Sequence, residues 1–277
     1  MLVSVIVVVY NSSKTVLETL ESIKNQTYKN IELVITDDAS SDNTIEIVTE
    51  WGEKNRNYFN NFLVLKTEKN TGVSANVARG IQASKGEYYK DIAGDDLLEP
   101  TAIEMFIDTV NNTRDKIIYQ AKNRTFYQTE EDKKFVSDTD DMNERNIQFL
   151  KLSQKSQYRT LLESNLLNAP AMGLIPRKIY DEINGIDKKY EMIEDYPMWI
   201  KLSELGYSFR LIDEYLVDYR ISETSISHGK SKLYINNEID IFFKERAPRL
   251  LKEKMYFVYL KGLTRYGIKK YLIKYKK

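Results

Sequence analysis

The chain has 277 residues, 42% of them hydrophobic, with 41 basic and 41 acidic side chains, one histidine and no cysteine. That length allows one large domain or two modest ones with a sizeable core. The lack of cysteine excludes disulfides, thiolate catalysis and cysteine-based zinc sites, and fits a reducing cytoplasm. The zero net charge hides an asymmetry. From Arg249 to Lys277 ten Lys/Arg face one acid, Glu253. A basic tail on an acidic body points to an anionic surface as a partner. No stretch approaches the ~18 apolar residues needed to span a membrane.

In chain order, Val3 to Val9 is continuously apolar and β-branched, as parallel strands buried on both faces are. It has no basic n-region, so it reads as a strand and not a signal peptide. Asn11-Ser12-Ser13 is a capping cluster before a helix carrying Val16, Leu17, Leu20 and Ile23, ending near Asn25. Ile31 to Thr36 is a second strand, ending in Asp37-Asp38. Ser41-Asp42 caps a helix with Ile45, Val48 and Trp51. Phe62 to Leu65 is a third strand, Asn70-Thr71-Gly72 a turn, and Val73 to Ala83 a helix. A fourth strand then delivers Asp95 and Asp96. This alternation predicts a parallel sheet with right-handed crossovers, whose ligands sit at the carboxyl ends of the strands. Tyr10, Asp38, Asn70 and Asp95 all fall there.

The second half is less regular. Ile117 to Ala121 reads as a strand and Thr129 to Met142 as a charged loop. Ile147 to Leu152, Leu161 to Leu167 and Asp195 to Leu205 have helical spacing. Ala171 to Ile175 is short and apolar, and Phe209 to Tyr219 alternates weakly as a strand. Beyond Ser222 the composition is helical and then basic. In that tail Gly262 and Gly267 favour two short helices over one.

Asp95 and Asp96 are hard oxygen ligands at a strand end, suited to Mg2+ or Mn2+ with substrate phosphates. They equally suit a helix N-cap. Asp38 could accept a hydrogen bond from a nucleobase or ribose, or simply belong to a turn with Asp37, Ser40 and Asp42. Glu194-Asp195 opens a helix with Pro197 in its first turn. A carboxylate there is either a cap or a general base. His228 is either a surface residue, a third metal ligand or a phosphate contact. Tyr219-Arg220 could meet a diphosphate through the guanidinium fork.

Together these segments resemble a family-2 glycosyltransferase of the bacterial type that builds capsules, O-antigens and exopolysaccharides. The segments are Val3 to Asn11, Ser22 to Tyr28, Ile31 to Thr44, Asn70 to Ala75, Arg79-Gly80-Ile81, Lys85 to Tyr88, Gly94-Asp95-Asp96, Glu194-Asp195-Tyr196 with Trp199, and Tyr219-Arg220. They cover roughly residues 1 to 225 in register. The resemblance implies an α/β fold of GT-A type: a Rossmann-like, mostly parallel sheet flanked by helices, with a C-terminal helical extension. Residues 1–225 would form the transferase domain, 1–100 holding the nucleotide and 101–225 the acceptor. Residues 226–277 would be the basic extension.

The resemblance also implies roles. Val8, Tyr10 and Asp38 would hold the nucleobase, usually uracil, with Asn70 and Gly72 beside it. Asp95 would bind Mn2+ or Mg2+ on the donor diphosphate, and Asp96 would support it or touch the sugar. Asp195 would be the base of a single inverting displacement. Two positions depart from the family pattern: Ala93 replaces the first acid of Asp-x-Asp, and Val77-Ala78 replaces an Arg-Asn pair. The implied partners are a nucleotide-sugar donor and a saccharide or polyprenyl-linked acceptor, with no nucleic acid. A homodimer and an anionic membrane surface met by residues 249–277 complete the expectation. The location would be cytoplasmic or peripheral at the inner membrane face.

Other classes fit less well. A nucleotidyltransferase wants a Gly-rich loop with Arg and Lys after the first strand, and a dehydrogenase wants Gly-x-Gly-x-x-Gly; Tyr10 to Lys14 supplies neither. A carboxylate-pair hydrolase leaves Asp38 unexplained. A non-catalytic sugar-nucleotide-binding component of a polysaccharide assembly complex differs only in lacking activity.

Overall fold

The computed structural model describes residues 1–112, 116–127, 129, 144–167, 169, 172–221 and 231–275. The apolar β1 (Val3–Val9) lies between β2 (Ile31–Asp37) and β4 (Tyr88–Ala93), parallel to both. β3 (Asn61–Lys66) extends the parallel sheet beyond β2, and the two-residue β7 (Ile175–Pro176) pairs antiparallel with β4. The strand order is β3-β2-β1-β4-β7. The parallel strands are joined by α1 (Val16–Lys24), α2 (Thr44–Asn55) and α3 (Val73–Ala83).

A second sheet has the order β5-β8-β6, made of β5 (Leu97–Leu98), β6 (Ile117–Tyr127) and β8 (Ser208–Ile221). Around both sheets lie α4 (Ala102–Asn111), α5 (Glu144–Lys151), α6 (Gln154–Glu163), α7 (Arg177–Glu182) and α8 (Asp195–Glu204). The chain then runs through α9 (Lys232–Ile241), a π-helical turn (Phe242–Arg246), α10 (Ala247–Lys252) and α11 (Tyr256–Tyr275).

Strand alternation divides the core in two. Val3, Val5, Val7 and Val9 face one layer with Val16, Leu20, Ile23, Val48 and Trp51. Ile6, Val34 and Tyr89 face the other, with Val77 and Ile81 of α3 and Trp199 of α8. The C-terminal helices belong to this second core through Phe242, Leu250, Met255 and Tyr266. Arg246 locks them in place. It is buried, and donates from Nε to the Leu162 carbonyl (2.8 Å) and from Nη2 to the Glu163 carbonyl (2.5 Å). Those carbonyls are otherwise orphaned at the end of α6, where a cation is also favoured by the helix dipole.

Three local expectations need correction. Asn11-Ser12-Ser13 does not cap α1, whose cap position is Thr15. Their backbone amides instead donate to Ser40 Oγ (2.8 Å), Thr44 Oγ1 (2.8 Å) and Asp42 Oδ2 (3.1 Å), tying the end of β1 to the β2–α2 loop. The helix expected over Leu161 to Leu167 is α6, which starts at a Ser153 cap and ends at Glu163.

α11 is one continuous helix of 20 residues, not two. Gly262 is a packing notch within it: a Cβ there would collide with the Phe242 ring. That ring stacks on Tyr266 at 4.7 Å between centroids. Close packing outweighs the ~1 kcal/mol that a mid-helix glycine costs.

Candidate active site

The carboxyl ends of β1, β2 and β4 lie side by side and are pinned to one another. The Asp38 amide donates to the Val9 carbonyl (3.2 Å), and the Gly94 amide donates to the Val8 carbonyl (2.9 Å). Tyr10, at the tip of β1, is exposed, as is Asn70 in the β3–α3 turn. Non-glycine residues with positive φ follow two of these strands, Asn11 (53°) and Ala39 (64°). Such backbone is uncommon outside glycine and clusters at functional loops.

Asp38 is buried and organises the Asn70–Gly72 turn. Oδ2 accepts from the amides of Thr71 (2.9 Å) and Gly72 (2.8 Å), and Oδ1 from Thr71 Oγ1 (2.6 Å) and Arg79 Nη2 (3.3 Å). Four donors fill the four acceptor positions of a carboxylate. A nucleobase N–H reaches Asp38 only by displacing one of them, the longest being Arg79. Asp37 and Asp42 are occupied as turn and cap acceptors, as their alternative reading held.

Gly72 carries the turn to the other half of the molecule. Its φ is +87°, and a Cβ would lie 2.7 Å from the Glu191 carbonyl oxygen. The Ser74 amide donates to that same carbonyl (3.2 Å). Glu191 stands just ahead of Glu194 and Asp195, so the Asn70–Gly72 turn is in direct contact with the segment that leads into α8.

Asp95 and Asp96 leave β4 as an adjacent pair. Asp96 is buried, and its Oδ1 accepts from the Arg220 amide (2.9 Å). Burial pushes its carboxyl well up and the neighbouring Asp95 charge pushes it further. Asp95 is half-buried; burial raises its carboxyl too, opposed by the nearby Arg220 charge. Arg220 is not offered to a diphosphate as expected. Its guanidinium donates to the Asp95 carbonyl (2.8 Å) and Glu18 (2.7 Å), and lies 4.5 Å over the Phe126 ring.

Among the described residues no three His, Asp or Glu side chains converge as a self-sufficient metal cage. A crowded carboxylate pair with one member accessible does fit Mg2+ or Mn2+, which complete their shells with water and substrate phosphates. His228 lies outside the described residues.

Asp195 is the first residue of α8. Oδ1 accepts from the Tyr196 amide (2.6 Å), and Oδ2 from Asn165 Nδ2 (3.2 Å) and Trp199 Nε1 (3.3 Å). Burial raises its carboxyl, while these donors hold it down. Glu194 accepts no such side-chain donors. Burial, then the Asp195 charge, push its carboxyl up to about 8. The donors to Asp195 favour the charge of the pair on Asp195 over Glu194.

Both acids line a small, partly open cleft with Tyr89, Asp91 and Trp199, whose free space of about 10 Å³ suits a single water molecule. The Tyr89 hydroxyl is buried there without a hydrogen-bond partner among the described residues. An orphaned buried hydroxyl calls for a water or ligand group. No site role was read from the sequence for Asp91, Tyr89, Asn165, Thr71 or Arg79. Asp91 left a signal: Lys90-Asp91 puts two charges inside an otherwise buried strand.

Residues 4–183 match the family model described as glycosyl transferase family 2. The chain belongs to glycosyl transferase family 2. An uncharacterized glycosyltransferase of Rickettsia typhi is 26% identical to this family-2 transferase over 271 residues, 95% of this chain and 76% of its own. The chondroitin synthase of Escherichia coli is 26% identical over 271 residues, 98% of this chain but 34% of the longer relative.

Among solved structures, S. aureus TarS 1–349 in complex with UDP-GlcNAc has a TM-score of 0.65 at 19% identity, covering 96% of this chain and 72% of that one. The mannosyltransferase PcManGT from Pyrobaculum calidifontis, in complex with GDP-Man and Mn2+, has a TM-score of 0.60 at 13% identity, covering 90% and 64%. These likenesses establish the GT-A fold, in agreement with the sheet described above.

Proposed function

We propose that this transferase moves a sugar from a nucleoside-diphosphate sugar, a UDP-sugar first, to a saccharide or lipid-linked saccharide acceptor with inversion. The product would be a capsule, O-antigen or exopolysaccharide. The TarS and PcManGT complexes with UDP-GlcNAc and GDP-Man support a nucleotide-sugar donor. Chondroitin synthase supports a polysaccharide product. The observation that carries the reading is the contact of Gly72 and Ser74 with Glu191. It joins the strand-end carboxylates to the helix that presents Asp195.

In this reading Tyr10, Val8 and Asn70 line the nucleoside. Asp38 accepts a nucleobase N–H in place of Arg79 and holds the Gly72 turn against it. Asp95 faces the donor diphosphate, with Asp96 and Arg220 fixing its backbone. A divalent cation bound at Asp95 would neutralise charge on the departing diphosphate. Asp195 takes the proton of an acceptor hydroxyl. The hydroxyl oxygen bonds to the anomeric carbon as the nucleoside diphosphate leaves from the opposite face. Asn165 and Trp199 keep the Asp195 carboxylate ionised and oriented. Glu194, neutral beside it, leaves a single negative charge at the attacking hydroxyl.

Calorimetry with UDP, with and without Mn2+, tests the donor half. Binding should weaken sharply on EDTA treatment and in Asp95→Ala. Equal affinity with and without the cation contradicts the assignment.

A further inference from the structure

α11 buries one face and leaves the other bare. Val258, Tyr259, Leu263, Tyr266 and Ile273 pack on the core. On the opposite side Phe257 is 80% exposed, Leu260 59%, Ile268 56% and Tyr271 62%. At 3.6 residues per turn these four fall within an arc of about 80°, with Thr264 among them. Exposed Lys261 and Arg265 border one edge of the arc. No acid follows Glu253. A helix on a water-facing surface normally carries its charges at the centre of the outer face. Here apolar groups hold the centre and cations one border.

We propose that this face of α11 docks on an anionic lipid surface. Phe257, Leu260, Ile268 and Tyr271 enter the headgroup–acyl boundary, and Lys261 and Arg265 meet lipid phosphates. Charge complementarity selects this occupant. The segment after Glu253 carries cations and no acid, so a second copy apposed through the same face would offer them no acidic partner. Spanning is not the mode, since no helix among the described residues is long and apolar enough to cross a membrane.

The position of α11 gives docking a use. Its inner face packs on α9, where Lys269 Nζ pairs with Glu238 (2.7 Å). α9 also carries Tyr234, which packs on the same small cluster as Tyr196, the residue after Asp195. α9 thus links the docking helix to the segment that carries the proposed base. An acceptor held in the bilayer surface is thereby brought to the cleft. This use rests on the transferase reading; the docking itself does not.

Vesicle co-sedimentation of the full chain tests it, comparing phosphatidylcholine alone with phosphatidylcholine plus phosphatidylglycerol, at low and high salt. Binding should require phosphatidylglycerol and fall with salt. It should weaken at least about tenfold in Leu260→Glu/Ile268→Glu, which changes only exposed side chains. Unaltered UDP affinity and thermal midpoint would show that variant folded, and would separate failure of docking from failure of the donor site. No binding by the unaltered protein, or equal binding by the variant, overturns the proposal. So does a dimer seen by light scattering that the double substitution dissolves, which would make this face an interface between copies.

Discussion

Asp38→Asn is the sharpest probe of the strand-end network. The best placement for the new side chain keeps its oxygen on the amides of Thr71 and Gly72, at 2.9 and 2.8 Å in the native protein. The amide nitrogen then faces Thr71 Oγ1, which can turn to accept, and Arg79 Nη2, which cannot. One charge-assisted hydrogen bond is lost, worth about 1.5–3 kcal/mol. Arg79 keeps acceptors on Asn76 Oδ1 (2.8 Å) and Thr71 Oγ1 (2.8 Å), which places the cost near the middle of that range, about 2 kcal/mol. For a chain of this size that lowers the thermal midpoint by about 4–8 °C. Asp38→Ala should cost more, because two backbone amides lose their acceptor at once. The assay is thermal unfolding of both variants without ligand, then with UDP. Asp38→Asn should also blunt the UDP-induced rise, since its amide nitrogen cannot accept a nucleobase N–H. An unchanged midpoint in both variants would refute the idea that this carboxylate holds the turn.

Gly72→Ala should destabilise by about 1–3 kcal/mol, because it combines a positive φ with a methyl 2.7 Å from the Glu191 carbonyl. Chemical denaturation measures it, and a neutral result would mean the two halves are not in close contact. Glu194 has a raised carboxyl, so its contribution to stability is intact at low pH. It is lost as pH climbs from the ordinary value of 4.5 through about 8, where the unfolded chain releases the proton first. The melting temperature should therefore fall between about pH 5 and 8, and Glu194→Gln should shrink that fall. The same slope in both proteins would move the proton elsewhere.

The first half of the chain was legible because each parallel strand is a short apolar run and each crossover helix keeps its own period. β1 and α3 fall on the predicted boundaries for that reason. The second half has strands paired over long separations, and its helices meet the core through scattered residues. α6 was misplaced since Leu161 and Leu162 end a helix whose start, Ser153, carries no apolar signal. Asp95, Asp38 and Asp195 stood out as acids at element ends. Their partners did not: Asn165 and Thr71 are common polar residues whose roles exist only through contacts 30 and 33 positions away. The C-terminal tail announced its charge, but only the packed structure separates its buried face from its bare one.

The central claim is that Asp195 is the base of a sugar transfer from a bound nucleotide sugar. The direct measurement is Asp195→Asn, assayed for UDP affinity and for transfer or donor hydrolysis from the UDP-sugar that most raises the melting temperature with Mn2+. Asparagine keeps the shape and can still accept from Asn165 or Trp199, but it cannot take a proton. Affinity should stay within about twofold, while turnover falls by ~10²-fold or more, the usual scale for removing a general base. Turnover within tenfold of the unaltered enzyme would contradict the account, and so would loss of UDP binding.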